Sequence, residues 1–291
     1  MRPIDVNKRG GVCLRFVKTA DEIDSIQRIY SRCHHLGVKT LTVHFETDPD
    51  AVRALLPPPL EPAAAHVGVA WVSDVGNSTC VGPYSLAGLA IRARYGNITG
   101  NYVLVSGVST PEAVTFAREL YGEPRKLARV AFEQQGDHIW GHAERHEIRY
   151  LSMRGRCDSP SQAGREEESQ FFFKFLPRPD GSGFDSPPVL VHVTSDVTVM
   201  EARRGRGELV FRDSPHDPVS DVPVRQVLDA IYTEGHAYTH ARILCEVDPG
   251  AFLPYAFSKT DAHEVVAEGT VLHAQASRRS RDGKGQWRKT A

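Results

Sequence analysis

The sequence predicts an α+β fold made mainly of antiparallel strands. Two observations predict it. From Leu41 onward the apolar residues fall in short strand-like runs broken by turn formers, as at Val81-Gly82-Pro83 and Tyr95-Gly96-Asn97. Helical periodicity is confined to a few separate segments. The 291 residues, 41% of them hydrophobic, suffice to bury a large core as one big domain or two modest ones.

Taken in order, Thr19 to Cys33 reads as an amphipathic helix, with Ile23, Ile26 and Ile29 at helical spacing behind the cap candidates Thr19 and Asp21. It precedes the strand-rich region, so it is expected to cover a sheet edge or a neighbouring subunit. Pro111 to Leu120 forms a second helix-like segment, and it runs into the Gly122-Glu123-Pro124 turn and the basic pair Arg125-Lys126. Ile148-Arg149-Tyr150-Leu151 reads as a strand. Asp158 to Ser169, which carries Glu166-Glu167-Glu168, reads as a polar surface loop, and Arg204-Gly205-Arg206-Gly207 as a hairpin turn. Asp213 to Val222 is a further loop before a helix from about Val224 to Tyr232. The end of the chain from about Ser277 is basic (Arg278-Arg279-Ser280-Arg281, Arg288-Lys289) and reads as a solvated terminus.

Composition excludes several function classes. Thirty-five basic residues nearly cancel 36 acidic ones, which argues against a dedicated nucleic-acid binder. The five cysteines, Cys13, Cys33, Cys80, Cys157 and Cys245, are scattered and never form a Cys-x-x-Cys pair, as expected of reduced thiols in a cytoplasmic protein. The opening Met1-Arg2-Pro3-Ile4-Asp5 lacks the apolar core of a signal peptide, and no apolar run reaches the ~18 residues of a membrane span. His138, His142 and His146 recur every four residues around Glu144, but Gly141 interrupts any helix there. On a strand, His142, Glu144 and His146 spread over about 13 Å, so no metal site is expected. Phosphate-binding, dinucleotide-binding and Gly-x-Ser-x-Gly signatures are missing, and no cofactor is implied.

The stretch Ala117-Arg118-Glu119-Leu120-Tyr121-Gly122-Glu123-Pro124-Arg125-Lys126-Leu127-Ala128 resembles the catalytic segment of acetoacetate decarboxylase. There a helix, a turn and a proline lead into two lysines, the first of which forms a Schiff base. Further anchors follow in the family's order between about residues 38 and 257. Leu41-Thr42-Val43-His44-Phe45 to Val52, then Leu55-Leu56-Pro57-Pro58-Pro59-Leu60, resembles its opening strand, short helix and Leu-Pro-x-x-Leu stretch. Gly100-Asn101-Tyr102, Phe173-Lys174-Phe175-Leu176-Pro177, Ser195 to Val199 and Asp221-Val222-Pro223-Val224 are similar to later phrases. The resemblance implies a curved sheet or barrel around an internal pocket, and assembly into at least a homodimer. It implies three regions: an N-terminal extension with one helix (1–37), the family domain (38–265) and a C-terminal extension with a basic tail (266–291).

The resemblance also implies a changed chemistry. An amine attacks a carbonyl only when unprotonated, and a lysine near its ordinary pKa of about 10.4 is protonated at neutral pH. Desolvation or a neighbouring cation frees it. Here Arg125 takes the Schiff-base position, and a guanidinium stays protonated and cannot be that nucleophile. It can instead clamp a carboxylate with two parallel hydrogen bonds. Matching to the family puts Leu86 at one of its glutamates, Trp71 near the other and Val38 near its arginine. Glu123, between Gly122 and Pro124, is an acid added to the turn. The candidate catalytic residues are therefore Lys126 (amine or cationic acid), Glu123 (proton transfer) and Arg125 (carboxylate clamp), and Tyr84, Leu86 and Trp71 join Arg125 in binding substrate. On an extended segment Arg125 and Glu123 share a face and Lys126 turns away. Two functions follow from the resemblance: a lyase of the decarboxylase or dehydratase/cyclase type, acting in specialised metabolism on a small oxo acid or enol-type intermediate, or a non-catalytic descendant that binds a small acid.

Overall fold

The computed structural model describes residues 15–261. Twelve strands and four helices alternate as α1 (Ala20–Ser31), β1 (Cys33–Glu46), α2 (Pro49–Leu55), β2 (Glu61–Pro62), β3 (Val67–Ser78), β4 (Tyr84–Tyr95), β5 (Ile98–Val108), α3 (Pro111–Leu120), β6 (Arg125–Leu127), β7 (Arg129–Gln135), β8 (His138–Arg145), β9 (Ile148–Pro160), β10 (Gly164–Lys174), β11 (Val189–Phe211), β12 (Gln226–Glu246) and α4 (Pro249–Ala256). The fold is α+β and dominated by antiparallel strands, as expected. The basic tail and Cys13 lie outside the described residues.

Local chemistry sets the helix boundaries. Thr19 caps α1 in a reciprocal box: Glu22 N–H donates to Thr19 Oγ1 at 3.2 Å, and Thr19 N–H donates to the Glu22 carboxylate at 2.8 Å. Asp48 caps α2 by accepting from Asp50 and Ala51 N–H. At the end of α3, the N–H groups of Tyr121, Gly122 and Glu123 all converge on the Ala117 carbonyl. Gly122 is left-handed (φ 82°), and a Cβ there would meet the Lys174 backbone at 2.5 Å. This position therefore requires glycine.

Strands β1, β3, β4, β5, β10, β11 and β12 close into a seven-stranded barrel, because β10 pairs with β11 on one side and, in parallel, with β5 on the other. From β11 the sheet continues into a flap of β9, β8 and β7. The largest apolar core lies between the flap and the outer barrel wall. Leu41, Val43 and Phe45 of β1 and Leu89 and Ile91 of β4 pack there with Ile139, Tyr150, Leu151 and Met153 of the flap. Burial on the outer face frees the inner faces to line a cavity.

Four sequence expectations are corrected. Asp158 to Ser169 is not a loop: β9 runs to Pro160 and β10 begins at Gly164, so the glutamate run lies in a strand. That part of β10 faces a polar cavity or the exterior, so its polarity does not mark a loop. Arg204 to Gly207 is not a turn but lies in the last third of the 23-residue β11. The glycines permit close strand approach, since a Cβ on Gly205 would sit 1.7 Å from the Arg156 carbonyl oxygen. The helix from Val224 to Tyr232 is replaced by β12. Ala230 and Tyr232 face the outer core, whereas Ile231 and Thr233 line the cavity; two covered faces imitate helical spacing. The strands are also not uniformly short, since β11 and β12 span 23 and 21 residues.

Candidate active site

The barrel encloses a cavity of about 630 Å³. Its catalytic-type groups cluster where β6, three residues long, lies parallel to the end of β5 with Arg125 opposite Ser106. The Gly122 turn delivers Glu123 and Arg125 to the same wall. Arg125 Nε donates to Glu123 Oε2 at 2.6 Å, and its Nη1 donates to the Ala113 carbonyl at 3.2 Å. Both side chains are only 10% exposed. Tyr84, at the start of β4, places its ring 5.4 Å from the guanidinium carbon. Burial would loosen the Arg125 proton, but the charge of Glu123 and the contact with Tyr84 outweigh it and raise the Arg125 pKa. Burial also raises the Tyr84 phenol, which stays a neutral donor at physiological pH.

All the positions expected on the pocket side reach this cavity: Tyr84, Leu86, Trp71, Glu123 and Arg125 line it, and so does Val38. The places that the resemblance assigned to two glutamates and an arginine thus carry Leu86, Trp71 and Val38 on the cavity wall. Beyond the expected residues, Cys33, His35, Ser106 and Asn101 also line it. Of these only Asn101 carried a sequence signal, in Gly100-Asn101-Tyr102. Toward the far end of β5, where Asn101 pairs with Gln170, the wall turns polar with Arg92, Glu166 and Glu168.

Lys126 is not brought to this cavity. It is 7% exposed and faces the flap. Its Nζ donates to the His216 carbonyl at 2.7 Å and lies 3.3 and 3.2 Å from the carboxylates of Asp217 and Asp261. Arg145 completes the network, reaching Asp217 at 2.6 Å and also pairing with Asp261. Burial would raise Asp261, but hydrogen bonds and charge from Arg145 and Lys126 hold its carboxyl well below the usual range. Among the described residues lining the cavity there is no lysine.

The histidine series around Glu144 does not converge. His138 and His142 lie on β8, Glu144 pairs with Arg129 at 3.2 Å, and His146 occupies the two-residue β8–β9 turn with φ 49°. That turn brings His146 instead toward His216 and Asp261, with potential ligand atoms within 4.8 Å of one another. Asp261 is already shared by two cations, Arg145 and Lys126, which oppose a third positive charge. No described helix is long and apolar enough to cross a membrane.

Comparison with known proteins agrees with this architecture. The chain is 28% identical over 193 residues to the acetoacetate decarboxylase of Burkholderia vietnamiensis, covering 65% of this chain and 78% of that protein. It is 27% identical over 195 residues to the Burkholderia cenocepacia enzyme, with the same coverage. A solved acetoacetate decarboxylase from Legionella pneumophila superposes with a TM-score of 0.67 at 21% identity, over 74% of this chain and 87% of that one. The enduracididine biosynthesis enzyme MppR, complexed with the condensation product of pyruvate and imidazole 4-carboxaldehyde, superposes with 0.65 at 15% identity, over 75% and 90%. The sequence pattern of the acetoacetate decarboxylase (ADC) family matches residues 24–246, and the chain belongs to that family.

Proposed function

We propose that this protein is a lyase of the acetoacetate decarboxylase family that acts on a small oxo acid or enol-type intermediate, in specialised metabolism, through an arginine-anchored site and without a Schiff base. The observation that carries this reading is the exchange of faces at β6. Arg125 enters the cavity on the arm of Glu123, while Lys126 is tied to Asp217 and Asp261 outside it. The N–H groups of Arg125 not spent on Glu123 and Ala113 bind the substrate carboxylate. The Arg125 charge and the Tyr84 hydroxyl stabilise an enolate oxygen where an iminium would otherwise hold the electrons. Glu123 moves the proton at the adjacent carbon. Trp71 and Leu86 supply apolar walls in place of acids.

Borohydride added during turnover of pyruvate or a β-oxo acid tests this. Product formation with no reduced adduct on any lysine is expected; an adduct on Lys126 would overturn it. Glu123→Gln should bind the oxo acid but lose exchange of the protons beside its carbonyl into D2O, followed by NMR, and wild-type exchange by that variant would remove Glu123 from the reaction. One observation favours a second reading, binding without turnover: the Glu123 carboxylate is already engaged by Arg125 at 2.6 Å. In that case oxo acids shift the melting temperature and no proton exchange is seen. The protein is further proposed to be cytoplasmic and a homo-oligomer. Ile23, Ile26 and Ile29 of α1 stay 38–44% exposed, which supports assembly through that helix, and a monomeric mass by light scattering would refute it.

A further inference from the structure

Cys33 opens β1, and Cys80 lies in the turn after β3. The antiparallel ladder between these strands pairs His35 with Ser78. It continues one step further: Thr79 N–H donates to the His34 carbonyl at 3.0 Å, and His34 N–H donates to Thr79 Oγ1 at 3.0 Å. Cys33 precedes His34 and Cys80 follows Thr79 in the turn, so the two cysteines flank this last contact.

Both cysteines converge on Ser78. Each thiol is the largest influence on the acidity of the other. Cys33 Sγ lies 3.5 Å from Ser78 Oγ, which in turn accepts from Cys80 N–H at 3.3 Å. Cys33 is buried on the cavity wall beside His35, whereas Cys80 is half-buried in a groove shared with Tyr30 of α1 and Phe116 of α3. The hydrogen bond from Cys80, then contacts from His35 and Ser78, lower the Cys33 thiol against the opposing effect of burial; the same bond, with burial, raises Cys80. Cys33 is also the one of the pair that lines the substrate cavity, so it is the thiol that an oxidant in the cavity meets.

We propose that Cys33 and Cys80 are a peroxide-oxidisable thiol pair, a modification site in the wall of the substrate cavity that closes to an intramolecular disulfide. The Cys33 thiolate attacks one oxygen of hydrogen peroxide, an S–O bond forms as the O–O bond breaks, and the departing hydroxide takes a proton to leave as water. Cys80 sulfur then attacks Cys33 sulfur, the S–O bond breaks, and a second water leaves with the Cys80 proton. Two thiols are oxidised and one peroxide is reduced to two waters. The cavity admits a molecule of peroxide's size to Cys33, and the convergence of both cysteines on Ser78 keeps Cys80 beside the resulting sulfenic acid. The disulfide pins the turn after β3 to β1.

The test uses the full-length wild-type chain, exposed to hydrogen peroxide, alkylated and digested without reductant. The expected product is one peptide pair joined through Cys33 and Cys80, lighter by two hydrogens and released by dithiothreitol, with Cys157 and Cys245 still alkylated. In Cys80→Ser, Cys33 should instead be labelled by dimedone as a sulfenic acid. Alkylation of both Cys33 and Cys80 after peroxide treatment, or oxidation of Cys33 to a sulfinic acid with no linked peptide, would overturn the proposal.

Discussion

Arg125 and Lys126 are neighbours in sequence, both cationic and almost equally buried at 8% and 7% exposure, yet they belong to different parts of the molecule. Arg125 looks into the cavity and has one carboxylate, Glu123, with N–H groups to spare. Lys126 looks outward under the flap and spends its ammonium on three oxygens from His216, Asp217 and Asp261. The difference comes from the two-residue period of an extended chain, which a three-residue strand is enough to impose. Burial of a charge therefore does not mark a catalytic group; the charge has to be buried against space that a ligand can fill.

The largest effect expected from this comparison is on stability. Lys126→Ala leaves Asp217, whose side chain is fully buried, with only Arg145 for compensation. Breaking a buried pair this way costs about 3–5 kcal/mol, read from urea unfolding. Oxo-acid affinity of the folded fraction should stay unchanged. Normal stability with lost turnover would break the comparison and put Lys126 into the reaction.

Arg125→Lys comes next. The ammonium can still pair with Glu123 but replaces a planar fork with a point charge. The oxo acid should bind roughly 10–100-fold more weakly, corresponding to the about 1.5–3 kcal/mol of a charge-assisted hydrogen bond, with little change in unfolding. If Arg125→Lys instead produces a borohydride-trapped adduct at residue 125, the cavity retains the family's older chemistry and only the side chain had been changed.

The sequence carried the family, the helix–turn–strand that holds the site and the opposite facing of Arg125 and Lys126, because each of these depends on local geometry. Gly122 and Pro124 bracket Glu123, and alternation along a short strand does the rest. What it did not carry was long-range. Asp217 and Asp261 lie about 90 and 135 residues from Lys126, and nothing local to either acid announces a shared partner. The approach of Cys33 and Cys80 was hidden in the same way, since only the folded chain brings both to Ser78. The misread helix over Val224 to Tyr232 has a different cause. Barrel strands covered on both faces lose the alternation by which strands are recognised.

A half-buried cation sharpens the comparison. Lys259 donates to the Phe173 carbonyl at 2.6 Å and sits 4.3 Å from the Phe175 ring centre, with no carboxylate in contact among the described residues. Burial, then the charge of Arg118, lowers its pKa to about 7. The unfolded chain binds this proton up to about pH 10.4. Folding therefore carries a cost that is fully present below pH 7 and disappears as pH rises toward the unfolded value. One proton contributes at most about 1.4 kcal/mol per pH unit to this rise. Wild type should gain stability between pH 7.5 and 8.5 relative to Lys259→Met, in chemical denaturation at the two pH values. Parallel behaviour of the two proteins would mean that Lys259 keeps its charge in the fold.

The smallest expected effect separates ring from hydroxyl at Tyr84. The ring lies 5.4 Å from the Arg125 guanidinium and is kept in Tyr84→Phe. Cation–π attraction depends on the ring face and survives the substitution. Only the buried hydroxyl is removed, and a neutral hydrogen bond is worth about 1 kcal/mol. Oxo-acid affinity should therefore fall less than tenfold and stability should barely move. The hydroxyl is assigned to the enolate oxygen, which exists only after the proton or carboxylate has left, so kcat should fall more than KM rises. Equal loss in both would place Tyr84 on the ground-state carboxylate beside Arg125. Unchanged kcat would assign the enolate to Arg125 alone and reduce Tyr84 to a wall on which the arginine rests.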